Sequence, residues 1–442
     1  MIWIIIRAVS DVDLMLRFML QVLVVLATCR VIGWLGNRFL LQAQVTMEMI
    51  VGVMLGPSLL GIISPKLQQY LFPQFLHAGV QASGKHPSMS ILYVIAQIGL
   101  VLYMFLIGLE FDTKLLSSRA KSAVSVSVAG ILLPFALGVL LVLTILRGRT
   151  DLFASGITPL NQALYLGAAM SITAFPMLAR IIFEAGIAGT SLGTLALGAG
   201  ATDDACAWSL LAVVLAMARN DPGYALWAIG GGVVYVTLML TVGRKVLAKF
   251  GEIVDRDGKM SQNMLGAVLL IVFTGAWFTD AVGIYAVFGA FVIGAAMPRG
   301  LFAKLLRERL EYVTVGLFLP FFFVYSGLNT HIGSLSVAAW IIGGVVLVAA
   351  IAGKFGGCYV ASRLAGEDHR EALAIGTLMN SRGLMELIIL NIGLQQKVIT
   401  NQLFTIMILM AIVTTVMAAP LFQVIYGKKL ASLAAGTVPL AG

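Results

Sequence analysis

Leu195-Ala-Leu-Gly-Ala-Gly-Ala-Thr-Asp-Asp-Ala-Cys-Ala-Trp-Ser-Leu-Leu-Ala-Val-Val-Leu215 has the length and composition of a membrane span, with two adjacent aspartates at its centre. An aspartate at mid-bilayer depth costs about 2.5–3.5 kcal/mol on insertion scales. Asp203 and Asp204 carry that cost twice. Packing does not explain them, because alanine or serine would fill the same space. Their charge is therefore used, and the natural user is a cation or a proton.

The rest of the chain fits a protein built around such a site. It is 60% hydrophobic and 11% charged, against about 25% charge in a soluble domain, so the chain reads as polytopic and all-helical in the membrane. The net charge of +9 is read as orientation, not as nucleic-acid binding, because the basic residues are unevenly divided between the loops. Cys29, Cys206 and Cys358 lie in apolar stretches and behave as small buried hydrophobes without a disulfide framework. The first apolar stretch lacks a small-residue cleavage site and reads as a span, not a cleaved signal.

Windows of about 20 apolar residues predict thirteen spans, near 16–36, 43–64, 89–109, 122–146, 161–183, 193–217, 223–243, 262–279, 282–298, 312–328, 333–357, 371–394 and 402–426. Alternate loops then divide the 29 Lys and Arg. One side holds Arg7, Arg17, Lys66, Lys85, Arg147, Arg149, Arg219 and Lys397. Lys354 and Arg382 fall inside spans, and the other nineteen share the opposite side. The positive-inside rule then places the N-terminus outside and the C-terminus in the cytoplasm, in a membrane expected to be a bacterial inner membrane. The longest cytoplasmic connection, around Lys245 to Ser261, reads as a solvated loop and a hinge between two halves. The chain after the last span is short, so no soluble regulatory domain is expected.

Two spans are interrupted at corresponding places. The fifth breaks at Ser171-Ile-Thr-Ala-Phe-Pro176, where proline removes an amide donor. The twelfth breaks at Asn380-Ser-Arg-Gly383, where glycine weakens the helix. Each break lies one span before the last of its half. Paired broken helices in corresponding positions mark the ion or substrate site of inverted-repeat transporters. Their freed amides and carbonyls line protein or a cavity and avoid lipid.

Neighbouring helix positions point about 100° apart, so one of Asp203 and Asp204 can face a cavity while the other pairs with a neighbour. A carboxylate that accepts either a proton or a cation is the minimal exchanger. Lys354 has no acid before it in its span; its partner is Asp203, or else it snorkels to the interface. Arg382 and Glu386 are four apart and can pair on one helix face, holding the second break. Thr173 at the first break offers oxygen to an alkali cation, which prefers oxygen ligands, or simply bonds its own backbone. Ser171 and Thr202 are supporting residues beside these positions. Glu48 and Asp280 are expected at interfaces or a dimer face. His77, His86, His331 and His369 lie in loops without ligand spacing, and no metal-binding cluster is expected.

Eight stretches in order resemble the monovalent cation/proton antiporter superfamily, in the branch with Kef-type potassium efflux systems and plant cation/proton exchangers. They are Met54-Leu-Gly-Pro-Ser-Leu-Leu-Gly61, Phe105-Leu-Ile-Gly-Leu-Glu-Phe111, Thr173-Ala-Phe-Pro-Met-Leu-Ala-Arg180, Ala201-Thr-Asp-Asp204, Gly289-Ala-Phe291, Phe321-Phe-Phe-Val-Tyr-Ser-Gly327, Gly353-Lys354 and Ser381-Arg-Gly383. The resemblance implies that Asp203 and Asp204 are the ion-binding pair, that Lys354 pairs with the first aspartate, and that Thr173 marks the helix crossover. It also implies a homodimer in which a core (about 89–217 and 312–426) moves against dimerisation elements (about 16–64 and 262–298), with a linker helix near 223–243. Plant relatives often carry Asn-Asp where this chain has Asp203-Asp204.

The expected function is thus exchange of Na⁺ or K⁺ for H⁺ across the membrane by an elevator-type cycle, with no cofactor and with lipid, cations and protons as partners. A cation channel or transport-like sensor is the alternative, although a channel filter calls for rings of ligands about a symmetry axis. An intramembrane aspartyl protease needs two aspartates on facing helices, whereas these are consecutive.

Overall fold

The structure, a computed structural model, describes residues 11–40, 44–74, 86–110, 119–187, 190–218, 222–282 and 285–434. The first ten residues and residues 75–85, with His77, lie outside them. Among the described residues the regular elements are helices, apart from an isolated bridge between Phe153 and Ile399. In chain order they are α1 (Asp11–Leu40), α2 (Gln44–Leu55), α3 (Leu60–Ile63), α4 (Pro65–Leu71), α5 (Pro87–Glu110), α6 (Ala120–Thr144), α7 (Pro159–Ser171), α8 (Phe175–Glu184), α9 (Ser191–Ala218), α10 (Pro222–Leu238), α11 (Arg244–Asp257), α12 (Gln262–Ala281), α13 (Ala286–Ala296), α14 (Leu301–Val313), α15 (Leu319–Gly327), α16 (Val337–Leu364), α17 (His369–Met379), α18 (Leu384–Gln395) and α19 (Asn401–Ala434).

Among the described residues nine helices are long and apolar enough to cross a membrane. The remaining four predicted spans are the broken fifth (α7 and α8), the aspartate-bearing sixth (α9), the short ninth (α13) and the broken twelfth (α17 and α18). Local chemistry sets several of their starts. The Thr158 side chain caps α7 by accepting from the Asn161 amide, with Pro159 in the first turn. Asp368 caps α17 and Ser336 caps α16 in the same way. Each such cap satisfies an amide that the helix leaves free.

The hinge loop expected between Lys245 and Ser261 is instead mostly helical. α11 continues the seventh span through a π-type turn at Met239–Gly243, and Gly258 ends it with φ 64°. The reason lies in the spacing: Leu247, Gly251 and Val254 recur on one face and are buried, while the charged residues that suggested a loop cover the other. The tenth span likewise begins at Leu301 and not near 312. Phe302, Leu306 and Leu310 are buried one turn apart, and Arg307 pairs with Glu311 at 2.8 Å and with Glu110 at 2.6 Å.

The helices form two bundles. α5 lies along α13 and α15, α15 along α2, and α13 along α12. α6 lies along α7, α9 and α16, while α16 and α19 both pack on α17. The division inferred from sequence placed 89–109 and 312–328 with the core. By packing, α5 and α15 join the first bundle, where Gly108 abuts the Phe291 carbonyl and Gly327 abuts Gly52. Only small residues allow backbones so close. Between the bundles the contact is thin, mainly α2 on α19 and α15 on α18, with Asn391 Nδ2 donating to Ser326 Oγ at 3.2 Å.

Within the second bundle the halves repeat. Gly167 of α7 packs under the Phe135 carbonyl of α6, and Gly376 of α17 packs under the Phe355 carbonyl of α16. This matches α6–α7 with α16–α17, so spans four to six correspond to spans eleven to thirteen. A shift of seven spans is odd, and the second repeat is therefore inverted in the membrane.

Candidate functional site

The two breaks cross each other. The chain is non-helical between Ser171 and Phe175 and again between Asn380 and Leu384, and the Ala174 amide donates to the Ser381 carbonyl at 3.1 Å. Each break frees the carbonyls of one half-helix and the amides of the next, and buried groups of this kind must find partners.

At the first break these partners are charged. The Thr173 amide donates to Asp203 Oδ2 at 2.7 Å, putting an anion where α8 begins. Lys354 Nζ donates to the Ser171 carbonyl where α7 ends, and to both Asp203 oxygens at 3.0 and 3.1 Å. Arg382 Nη2 donates to the Met170 carbonyl at 2.6 Å, and Nη1 reaches the Ala169 and Ile172 carbonyls at 3.4 Å. Cations at a helix C-terminus and an anion at a helix N-terminus complement the backbone dipoles.

Lys354 and Asp203 are both fully buried. Lys354 lies mid-helix in α16, so the interfacial alternative does not describe it. Asp204 is 2% exposed, and neither of its oxygens has a hydrogen-bond partner among the described residues. The adjacent acids thus stand in opposite conditions, one fully engaged and one without a partner.

The hydrogen bonds also follow the repeat. Leu166-Gly167-Ala-Ala-Met170 corresponds to Ile375-Gly376-Thr-Leu-Met379, which matches Thr173 with Arg382. Thr173 Oγ1 donates to the Met379 carbonyl at 2.9 Å, and Arg382 donates to the Met170 carbonyl, the same bond with the halves exchanged. The Thr173 amide is held by Asp203; the Arg382 amide is held by Thr415 Oγ1 at 3.0 Å. Thr415 is therefore the counterpart of Asp203, and Lys354, next to Phe355, is the counterpart of Pro134. The scaffold is twofold, but the ionisable groups at the crossing are not.

Other expected residues fall into place around this centre. Ser171 Oγ donates to the Ala168 carbonyl, and half-buried Thr202 donates to the Gly198 carbonyl. Glu386 is fully buried in the first turn of α18, with its carboxylate 3.7 Å from Arg382. Glu48, expected at an interface, is instead fully buried in α2 and accepts from Gln44 Nε2 at 3.1 Å. Asp280 is exposed. No group of three His, Cys, Asp or Glu suited to a metal ion occurs among the described residues. Thr415 was missed by the sequence reading. It becomes visible only once the two halves are aligned, because the hydroxyls of Thr414 and Thr415 in an apolar helix read as groups bonded to their own backbone, as Thr414 indeed is.

The profile of the sodium/hydrogen exchanger transmembrane family matches residues 10–425. This chain belongs to that family. It is an integral, multi-pass membrane protein of a transporter family that is not enzymatic and uses no cofactor. Na(+)/H(+) antiporter NhaS4 of Synechocystis sp. is 39% identical over 424 residues, covering 94% of this chain and 98% of that protein. Cation/H(+) antiporter 18 of Arabidopsis thaliana is 38% identical over 417 residues, covering 92% of this chain and 48% of the plant protein; the chain spans about half that relative's length. The structure of the sodium proton antiporter MjNhaP1 from Methanocaldococcus jannaschii has the same fold, with TM-score 0.66 at 14% identity, covering 92% of this chain and 98% of that one.

Proposed function

We propose that the chain is a secondary antiporter that exchanges an alkali cation, Na⁺ or K⁺, for H⁺, with Asp204 as the carboxylate that carries one or the other. The observation that carries this reading is the buried Asp204, without a hydrogen bond among the described residues, beside the closed Asp203–Lys354 pair at the crossing of two broken helices. A buried carboxylate with no hydrogen bond is costly unless it is neutralised, and a proton or a cation neutralises it. Asp203 and Lys354 hold the first break in shape and form the second charged couple of the cycle, and Thr173 ties the two breaks together. Family membership and the antiporter names of the relatives support the same chemistry.

The thin contact between the bundles supports an elevator-type motion, with α6–α9 and α16–α19 moving against α1, α2, α5 and α12–α15, and with α10 as the link. A homodimer formed through the static bundle, with the N-terminus outside and the C-terminus in the cytoplasm, completes the proposal. The test is proton flux in proteoliposomes driven by a Na⁺ or K⁺ gradient. Absence of cation-dependent flux for both ions refutes exchange.

Cation and proton compete for one carboxylate in this scheme, so the apparent cation affinity should weaken as pH falls. Half-saturating concentrations measured from mildly acidic to alkaline pH check this; a flat profile excludes direct competition. Alternating access also requires water to reach the site from each side in turn. A cysteine replacing half-buried Thr202, in a background lacking Cys29, Cys206 and Cys358, should react with a membrane-impermeant thiol reagent from either side, with the balance shifted by pH or cation. Labelling from one side under every ionic condition would favour a channel-like vestibule.

A further inference from the structure

Among the described residues, twelve buried side-chain polar atoms lack a hydrogen bond, and six of them belong to Asp204, Asn380, Arg382 and Glu386 at or beside the crossing. Buried groups of this kind call for an explanation. Two of these residues face each other as opposite charges: Arg382 Nη1 and the Glu386 carboxylate lie 3.7 Å apart, and the two terminal nitrogens of Arg382 hold the carbonyls at the first break. That leaves Asp204 and Asn380. Asn380 is 3% exposed, and its side-chain oxygen has no hydrogen bond.

The positions of these two residues are related. Thr173 lies between the breaks and holds one partner on each side, with its amide on Asp203 and its hydroxyl on the Met379 carbonyl. Asp204 is the residue after the first partner and Asn380 the residue after the second. The next backbone contact, from the Ala174 amide to the Ser381 carbonyl, fixes Asn380 on its far side as well. The other polar side chains here are committed: Ser381 Oγ to the Leu378 carbonyl, Ser171 Oγ to the Ala168 carbonyl, and Thr415 Oγ1 to the Arg382 carbonyl. The amide oxygen of Asn380 accepts no hydrogen bond among the described residues.

We infer that Asn380 supplies a neutral oxygen ligand to the transported alkali cation, so that the site draws its charged ligand, Asp204, from one repeat and a neutral ligand from the other. The inference rests on the proposed exchange at Asp204. Its chemistry is that of a hard cation, which replaces lost water by carboxylate, carbonyl and amide oxygens. A ligand drawn from each repeat also ties cation binding to the geometry of the crossing, because the cation bridges the two broken helices.

Asn380→Ala should raise the half-saturating cation concentration in proteoliposomes about tenfold, the change expected for one lost ligand contact. It should also remove most of the rise in melting temperature that added NaCl or KCl gives the purified full-length protein, since a ligand stabilises only the state that binds it. Asn380→Ser keeps an oxygen and should fall between the two. Asn380→Asp adds a second titratable ligand and should make cation affinity depend more steeply on pH. It also serves as the test if the alanine variant does not insert, and an unchanged pH dependence then overturns the assignment. An Asn380→Ala protein within twofold of the unsubstituted one in both measurements overturns it too. If that occurs while Asp204→Asn abolishes flux, exchange at Asp204 stands and only the part given to Asn380 falls. If the unsubstituted protein shows no cation-dependent flux, both fall.

Discussion

Proteoliposomes carrying Asp204→Asn should show no cation-dependent proton flux, while the variant inserts and melts at or above the temperature of the unsubstituted protein. Asparagine keeps the size of aspartate and removes both the charge and the titratable proton. The Asp204 carboxylate has no hydrogen bond among the described residues to lose, so the substitution breaks no interaction that holds the fold. Removing an unpaired buried carboxylate relieves a desolvation cost, which gives the stability part of the prediction its sign. Loss of transport without loss of stability separates a working carboxylate from a structural one. Normal exchange by this variant would falsify the assignment of Asp204 as the shared site.

Lys354→Gln should have the opposite balance, with a large loss of stability and altered coupling. The Asp203–Lys354 pair is completely buried, and Lys354 also holds the Ser171 carbonyl at the end of α7. Removing one member of a buried ion pair typically costs about 3–5 kcal/mol, because the remaining charge is left without compensation. The double change Asp203→Asn with Lys354→Gln removes both charges and should be less harmful than the two single changes added together, by about 0.5–3 kcal/mol for residues in contact. A thermal-stability cycle measures this directly, and strict additivity would mean that the two side chains do not depend on each other. Transport by the double variant, measured with the membrane potential clamped and unclamped, reports whether the pair contributes to the charge moved per cycle.

Much of the architecture was legible locally. The spans follow from runs of apolar residues that have no other solvent, and Ser171 to Pro176 and Asn380 to Gly383 announced the two breaks through backbone chemistry. The misreadings came where hydropathy and helical spacing disagree. The charged stretches around Lys245–Asp257 and Leu301–Val313 resembled loops, yet one apolar residue per turn was enough to make each an amphipathic helix. Glu48 failed for a different reason: its place near a span end suggested an interface, but the packing around α2 buries it.

By itself the sequence determined that this is a many-span membrane protein with two matched helix breaks and a pair of acids too costly to be idle, because hydropathy, proline and glycine chemistry, and the desolvation of charge act through each residue and its near neighbours. The family resemblance already pointed Lys354 at Asp203; only the tertiary structure shows that pair closed and buried, with Asp204 accepting no hydrogen bond among the described residues. Asp203 meets Lys354 across 151 positions of chain, and Arg382 reaches Met170 across 212, because the broken helices cross and bring the freed carbonyls of one repeat to the cations of the other. Hydropathy and spacing carry no record of a crossing made by backbone groups that every residue possesses, so the hold that Asp203 and Lys354 take on the first break is seen only in the fold.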